Sequence, residues 1–115
     1  MKPIIISKKV LWEGRFLKSI QINYKNSKGK IIEWEAFQRK KIDGIVATVA
    51  FTKSKEVILV KQYRPPIDKY VIEFPAGLND KKETFEETAK RELLEETGYK
   101  ANIMLSLIVG PLSSG

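Results

Sequence analysis

The 115 residues contain no cysteine and no histidine. The first absence excludes disulfides and all thiolate chemistry, and the second removes the commonest general base and zinc ligand. No apolar run approaches the roughly 18 residues of a membrane span. The opening "MKPIIISKKVLWEG" has a single short apolar run and no small-residue cleavage site, so no secretory signal is expected. Together with a Lys/Glu/Ile-rich composition, the lack of thiols suggests a cytoplasmic protein. Acidic residues are also scarce, 14 against 21 basic ones, for a net charge of +7. Any catalysis must therefore run on carboxylates, lysines, arginines, hydroxyls or a bound hard cation. What is present, 43% hydrophobic and 30% charged residues, suits one soluble globular domain with a modest core.

The few acids are not evenly spread. The stretch "GLNDKKETFEETAKRELLEETG", Gly77 to Gly98, holds seven of the fourteen (Asp80, Glu83, Glu86, Glu87, Glu92, Glu95, Glu96). The remainder of the chain carries a net charge of +10. Such an excess attracts polyanions, or is simply a lysine-rich solubilising surface. Like charges at helical spacing repel by a few tenths of a kcal/mol per pair, so folding alone gives little reason for the acidic cluster.

The first half of the chain reads as strands. "RFLKSIQINY" (15–24) places Phe16, Ile20, Ile22 and Tyr24 on one face by period two, and "IIEWEAFQR" (31–39) alternates back after the polar turn "KNSKGK". "GIVATVAFT" (44–52) and "EVILVKQY" (56–63) are nearly all apolar, as central strands are, and "KYVIEFP" (69–75) is a further strand. "RPP" (64–66) interrupts, because two prolines remove two donors. Then the period changes. Thr84 and Glu87 form a capping box, Gly98 suits a C-terminal cap, and between them a helix over 85–97 carries Phe85, Ala89 and Leu93 on its packing face. "NIMLSLIV" (102–109) returns to strand and "GPLSSG" is a loop. No repeat, low-complexity tract or internal linker is present.

At about 100° per residue, Glu92, Glu95 and Glu96 share an arc of about 100° beside the packing stripe. There, desolvation worsens their mutual repulsion. A hard divalent cation resolves this, since Mg²⁺ takes oxygen ligands only. Arg91 lies one turn from both Glu87 and Glu95 and can hold Glu95 in place. The alternative is a solvated acidic surface laced with Arg and Lys pairs.

With spacing included, the stretch reads Gly77, five residues, Glu83, seven residues, Arg91-Glu92-Leu93-x-Glu95-Glu96-x-Gly98-Tyr99. This resembles the Nudix box, G-x5-E-x7-R-E-U-x-E-E-x-G-U, with every position filled. Upstream, "EGRF", "IIEWEAFQR", "DGIVATVAF", "VKQYRPP" and "YVIEFPAGL" resemble the ADP-ribose pyrophosphatase (ADP-sugar diphosphatase) branch, over roughly residues 9 to 109. The resemblance implies an α+β protein: a Nudix-type α/β/α sandwich with a mixed sheet (40–115), preceded by an N-terminal antiparallel β region (1–39). It implies hydrolysis of the ADP-ribose pyrophosphate to AMP and ribose 5-phosphate with Mg²⁺, for which Mn²⁺ can substitute. Glu92 and Glu96 would ligate the metal, with the Ala76 carbonyl as a further ligand and Glu95 shared or acting through water. Arg91 would orient these carboxylates, making Glu95, Glu92 and Arg91 the catalytic group. Arg64 and Arg39 would grip phosphates and ribose, a task suited to the guanidinium fork. Glu73 and Leu78 would line the same pocket. Trp34 would stack on adenine, with Phe16 as a second aromatic; both also fit an ordinary apolar strand face.

Family members continue past "GPLSSG" with further strands, a closing helix and a loop bearing a glutamate proposed as general base. Metal binding rather than full activity is therefore expected of these 115 residues. The branch also exchanges N-terminal strands between two subunits. A lone hairpin is marginal in water, so a homodimer is expected in which Trp34 or Phe16 of one chain faces Glu92 and Glu96 of the other. Two other readings remain open: hydrolysis of another nucleoside diphosphate derivative or a dNTP, and a non-catalytic nucleotide or RNA binder. Against the last, the lysines form no run interleaved with aromatics, and nucleic acid is not the expected partner.

Overall fold

The computed structural model describes residues 1–110, which divide into two units, Met1–Lys41 and Ile42–Gly110. The boundary expected from sequence lay at 39/40.

The N-terminal unit is a three-stranded antiparallel sheet in the order β1 (Ile4–Glu13), β2 (Leu17–Lys25), β3 (Ile31–Arg39). β3 has the limits its alternation predicts. The β2–β3 turn is closed by Asn26, whose Oδ1 accepts from the amides of Lys28 and Lys30, and Gly29 takes the positive φ (80°) that the turn requires. Pairing puts Ile22 opposite Trp34 and Tyr24 opposite Ile32, while Ile20, opposite Ala36, is the buried residue of this sheet. Phe16 was expected on the same strand face. It lies instead in the β1–β2 turn, because the Gly14 amide bonds to the Leu17 carbonyl (2.8 Å) and leaves Arg15 and Phe16 at the tip. The Arg15 guanidinium sits 5.1 Å above the exposed Phe16 ring.

The C-terminal unit contains β4 (Gly44–Ala47), β5 (Val60–Arg64), a single 3₁₀ turn (Pro65–Ile67), β6 (Lys69–Glu73), β7 (Ala76–Asn79) and α1 (Phe85–Thr97). β4 pairs with β7, and β5 with β6, each antiparallel. The prolines end β5 as expected. Strand β7 is not legible in the sequence, since "AGLN" has neither alternation nor β-branched residues and forms because β4 supplies a partner. Conversely, the long apolar segment 44–52 is strand only where β7 faces it; beyond Ala47 it makes one bridge, Phe51 to Val57. The strand read over 56–63 likewise begins only at Val60.

The helix has the limits that were expected. Thr84 and Glu87 form the reciprocal capping box, and Gly98, with φ of 76°, returns its amide to the Leu94 carbonyl at 2.9 Å. α1 packs on β7 and β4. Ala89 and Leu93 are buried, and the Phe85 ring covers Gly44 so closely that a Cβ there would come within 2.9 Å of it. The strand expected over 102–109 does not form. Those residues have no regular structure, and Ile103, Leu105, Leu107, Ile108 and Val109 are exposed. A strand needs a neighbour for its backbone groups, and no described strand pairs with this segment. From Pro111 on, the loop expected at "GPLSSG" lies outside the described residues. Among the described residues, no helix is long and apolar enough to cross a membrane.

Candidate active site

The site is built where β7 runs into α1. The Pro75 ring is fully buried and its carbonyl accepts from Thr48 at 2.8 Å, which fixes the entrance to β7. The next amide, Ala76 N–H, donates to the Glu96 carboxylate at 3.2 Å. At Gly77 the Glu92 carboxyl lies directly against the backbone: a Cβ here would be 2.0 Å from the Glu92 Cδ. Glycine at this position leaves the space that the Glu92 carboxyl occupies, and its φ is not in the left-handed region. Helix periodicity and strand position thus bring Glu92 and Glu96 to the same short backbone segment, Ala76–Gly77.

Glu96 has its carboxyl raised above the usual range by burial, partly offset by the Ala76 hydrogen bond and increased again by the charge of Glu92. Glu95 behaves differently. It is more than half exposed and turned toward Arg91, 3.3 Å from its Nη1. Among the described residues, no three acidic side chains converge closely enough to hold a metal by themselves. The donor set nevertheless fits a hard cation: it consists of oxygens only, two of its carboxylates repel each other in a part-buried setting, and the cradle over Gly77 has no room for a side chain.

Arg91 organises the group. Its Nη1 donates to Glu92 at 3.0 Å, and its Nε donates to Glu83 at 2.8 Å. Nη2, 2.7 Å from the same Glu83 oxygen, is held by charge rather than by an aligned hydrogen bond. Glu83 is held below the usual carboxylate range chiefly by its hydrogen bond from Arg91, and Arg91 is raised chiefly by Glu83. Thr88, fully buried, adds a long 3.4 Å contact to Glu83. Sequence reasoning gave Arg91 two helical neighbours, Glu87 and Glu95. Glu87 instead closes the capping box, and the principal partner is Glu83, eight residues upstream and outside the helix. Glu83 was visible only as a fixed position of the box; no helical period relates it to Arg91.

Beside this group, Arg64 at the end of β5 forms a two-pronged pair with Glu73 at the end of β6, its Nε 3.0 Å from both carboxylate oxygens. Its pKa is raised chiefly by that hydrogen bond to Glu73. Leu78 lies on β7 opposite Ile45. The structure therefore brings Arg64, Glu73, Ala76, Leu78, Arg91, Glu92, Glu95 and Glu96 into one unit. Arg39, Trp34 and Phe16 belong to the N-terminal sheet: Arg39 ends β3 opposite Leu17, and Trp34 is about half exposed on β3.

Comparison with known proteins places the chain in a family. The NUDIX domain family model matches residues 41–111. An uncharacterised Nudix hydrolase of Schizosaccharomyces pombe is 45% identical over 96 residues, covering 77% of this chain and 47% of that protein. The ADP-sugar pyrophosphatase of Mus musculus is 36% identical over 110 residues, covering 89% of this chain and 50% of the relative. The ADP-ribose pyrophosphatase of Bacillus subtilis is 35% identical over 115 residues, covering 96% of this chain and 58% of the relative. The chain thus spans about half the length of the curated relatives it matches. Among solved structures, an ADP compounds hydrolase superposes with a TM-score of 0.73 at 27% identity, over 90% of this chain and 55% of its own.

Proposed function

This chain belongs to the NUDIX domain family, and from that premise we propose that it carries the cation-binding and phosphate-gripping part of a hydrolase that splits the pyrophosphate of ADP-ribose, or a related ADP-sugar, into AMP and ribose 5-phosphate. The observation that carries the reading is the convergence of Glu92 and Glu96 on the Ala76–Gly77 backbone, with the Arg64–Glu73 pair in the same C-terminal unit. The relatives named for ADP-ribose and ADP-sugars support the substrate class.

In this reading Glu92, Glu96 and the Ala76 carbonyl hold Mg²⁺ or Mn²⁺, with Glu95 shared or acting through water. The cation, when bound, neutralises the two charges of the pyrophosphate and lowers the pKa of a water beside it. Arg91 keeps Glu92 oriented and draws Glu95 to the same edge. Arg64, steadied by Glu73, presents its remaining N–H groups to a phosphate, and Leu78 supplies an apolar wall. Arg39, Trp34 and Phe16 recognise the ribose-phosphate and adenine parts. The N-terminal strands, with Ile4, Ile5, Trp12 and Trp34 exposed, are read as the element exchanged between two copies of a homodimer.

Separation of products after incubation of the full protein with ADP-ribose, ATP and dNTPs tests the reading. AMP and ribose 5-phosphate, formed faster than any product from ATP or dNTPs, is the expected result. Hydrolysis of dNTPs alone would move the assignment to another branch of the family. Light scattering at tens of micromolar tests the dimer; a monomer refutes strand exchange.

A further inference from the structure

Asn79, the last residue of β7, is 2% exposed and was not among the residues singled out from sequence. Its backbone is fixed on both sides: it pairs with Gly44 on β4, and its carbonyl accepts from the Asp43 amide at 2.9 Å. An apolar side chain is the common occupant of such a place, because a buried amide is costly unless both ends are bonded. Here only one end is. Nδ2 donates to the Glu83 carbonyl at 3.0 Å, while the buried Oδ1 has no hydrogen-bond partner.

The single bond that is made ties a rigid strand to the residue from which the carboxylate group is organised. Asp80, Lys81 and Lys82, the residues between, are exposed. The Glu83 side chain reaches Arg91, and Arg91 reaches Glu92 and Glu95. We propose that Asn79 is a positioning residue for this site: by pinning the Glu83 backbone to β7, it fixes the Glu83 carboxylate under Arg91 and, through Arg91, the direction in which Glu92 points. Only a donor can bond a carbonyl, so the role requires the amide nitrogen and not merely the volume of the side chain. Its effect on metal affinity rests on the reading of Glu92 as a metal ligand; its effect on Arg91 does not.

The test uses Asn79→Leu, which keeps volume without a donor, and Asn79→Asp, which keeps shape but cannot donate at neutral pH. Two readouts are taken in the full protein: Mn²⁺ affinity by calorimetry, and solvent exchange of the Arg91 Nε–H by ¹⁵N NMR without metal. Both variants are expected to lose the protection of that N–H and to bind Mn²⁺ about tenfold more weakly, the size typical of partners one step removed from a metal. A double variant, Asn79→Leu with Glu83→Gln, should bind no more weakly than Glu83→Gln alone, since both changes act through Arg91. A residue that only supports the fold would give additive losses and leave Arg91 protected. Retained protection of the Arg91 Nε–H in both single variants overturns the proposal. If the unsubstituted protein binds no Mn²⁺, the metal reading falls, and the Arg91 N–H still decides whether Asn79 positions it.

Discussion

In the N-terminal unit, Met1–Lys41, eleven basic side chains accompany three acidic ones, Glu13, Glu33 and Glu35, and β1 buries none of its residues. The C-terminal unit, Ile42–Gly110, has ten basic and eleven acidic side chains, and its arginines are engaged: Arg64 with Glu73, Arg91 with Glu83, Glu92 and Glu95. The difference lies less in charge than in what backs it. The sheet of the first unit has no helix of its own to pack on, so Ile4, Ile5, Trp12 and Phe37 remain exposed and, apart from the Lys40–Glu13 pair, most of its charges stand in water, where pair interactions are weak. In the second unit α1 covers β4 and β7. The same packing that buries Ala89 and Leu93 holds Glu92 and Glu96 where solvent no longer screens them fully. Burial beside a packed face, rather than the mere number of acids, is what raises the Glu96 carboxyl.

The contrast can be broken most sharply at Gly77. Replacing it with alanine puts a Cβ where the Glu92 carboxyl lies, and the flexible side chain rather than the backbone gives way. Gly77→Ala is therefore expected to weaken Mn²⁺ binding by about 10–100-fold while leaving the unfolding midpoint nearly unchanged. Calorimetry and thermal melting of the same sample check both halves, and equal affinity would show that Glu92 is not confined there. Trp34→Ala should do the opposite. A stacked base is worth roughly 1–3 kcal/mol, so KM for ADP-ribose should rise about tenfold with Mn²⁺ affinity unaltered. A parallel loss of Mn²⁺ binding would mean that the two units do not divide the work in this way.

Glu96 provides a smaller, pH-dependent effect. Its carboxyl is raised in the folded protein, so folding favours the protonated form. The contribution of Glu96 to stability is fully present below the unfolded carboxylate pKa and is lost as pH rises through the raised folded value. Glu83, held low, acts in the other direction, its contribution being lost as pH falls. Glu96→Gln removes only the first of these. Without metal, the variant should melt a few degrees above the unsubstituted protein at neutral pH, and the gap should close as pH falls through the acidic range. A gap that does not vary with pH would assign it to packing instead. The least effect is expected at the helix start: Thr84→Ala loses one half of the capping box and should cost about 1 kcal/mol by denaturant unfolding.

The sequence by itself determined α1 to the residue, because Thr84, Glu87 and Gly98 are local signals that no distant partner needs to complete. It determined β3 equally well through the alternation of Ile32, Trp34 and Ala36 with Glu33 and Glu35. Helical spacing also placed Glu92, Glu95 and Glu96 on one arc, and the resemblance to the Nudix box singled out Arg91 beside them. Tertiary structure decided the rest. β7 exists only because β4 pairs with it, and "NIMLSLIV", as apolar as any strand in the chain, has no partner and forms none. The principal partner of Arg91 is Glu83 from the loop rather than a helical neighbour, Glu95 turns toward Arg91 rather than toward Glu96, and Asn79 is buried with one polar atom unbonded. Each of these depends on which backbone lies opposite a side chain after folding. That is a long-range property, and residue type and period, being short-range, do not contain it.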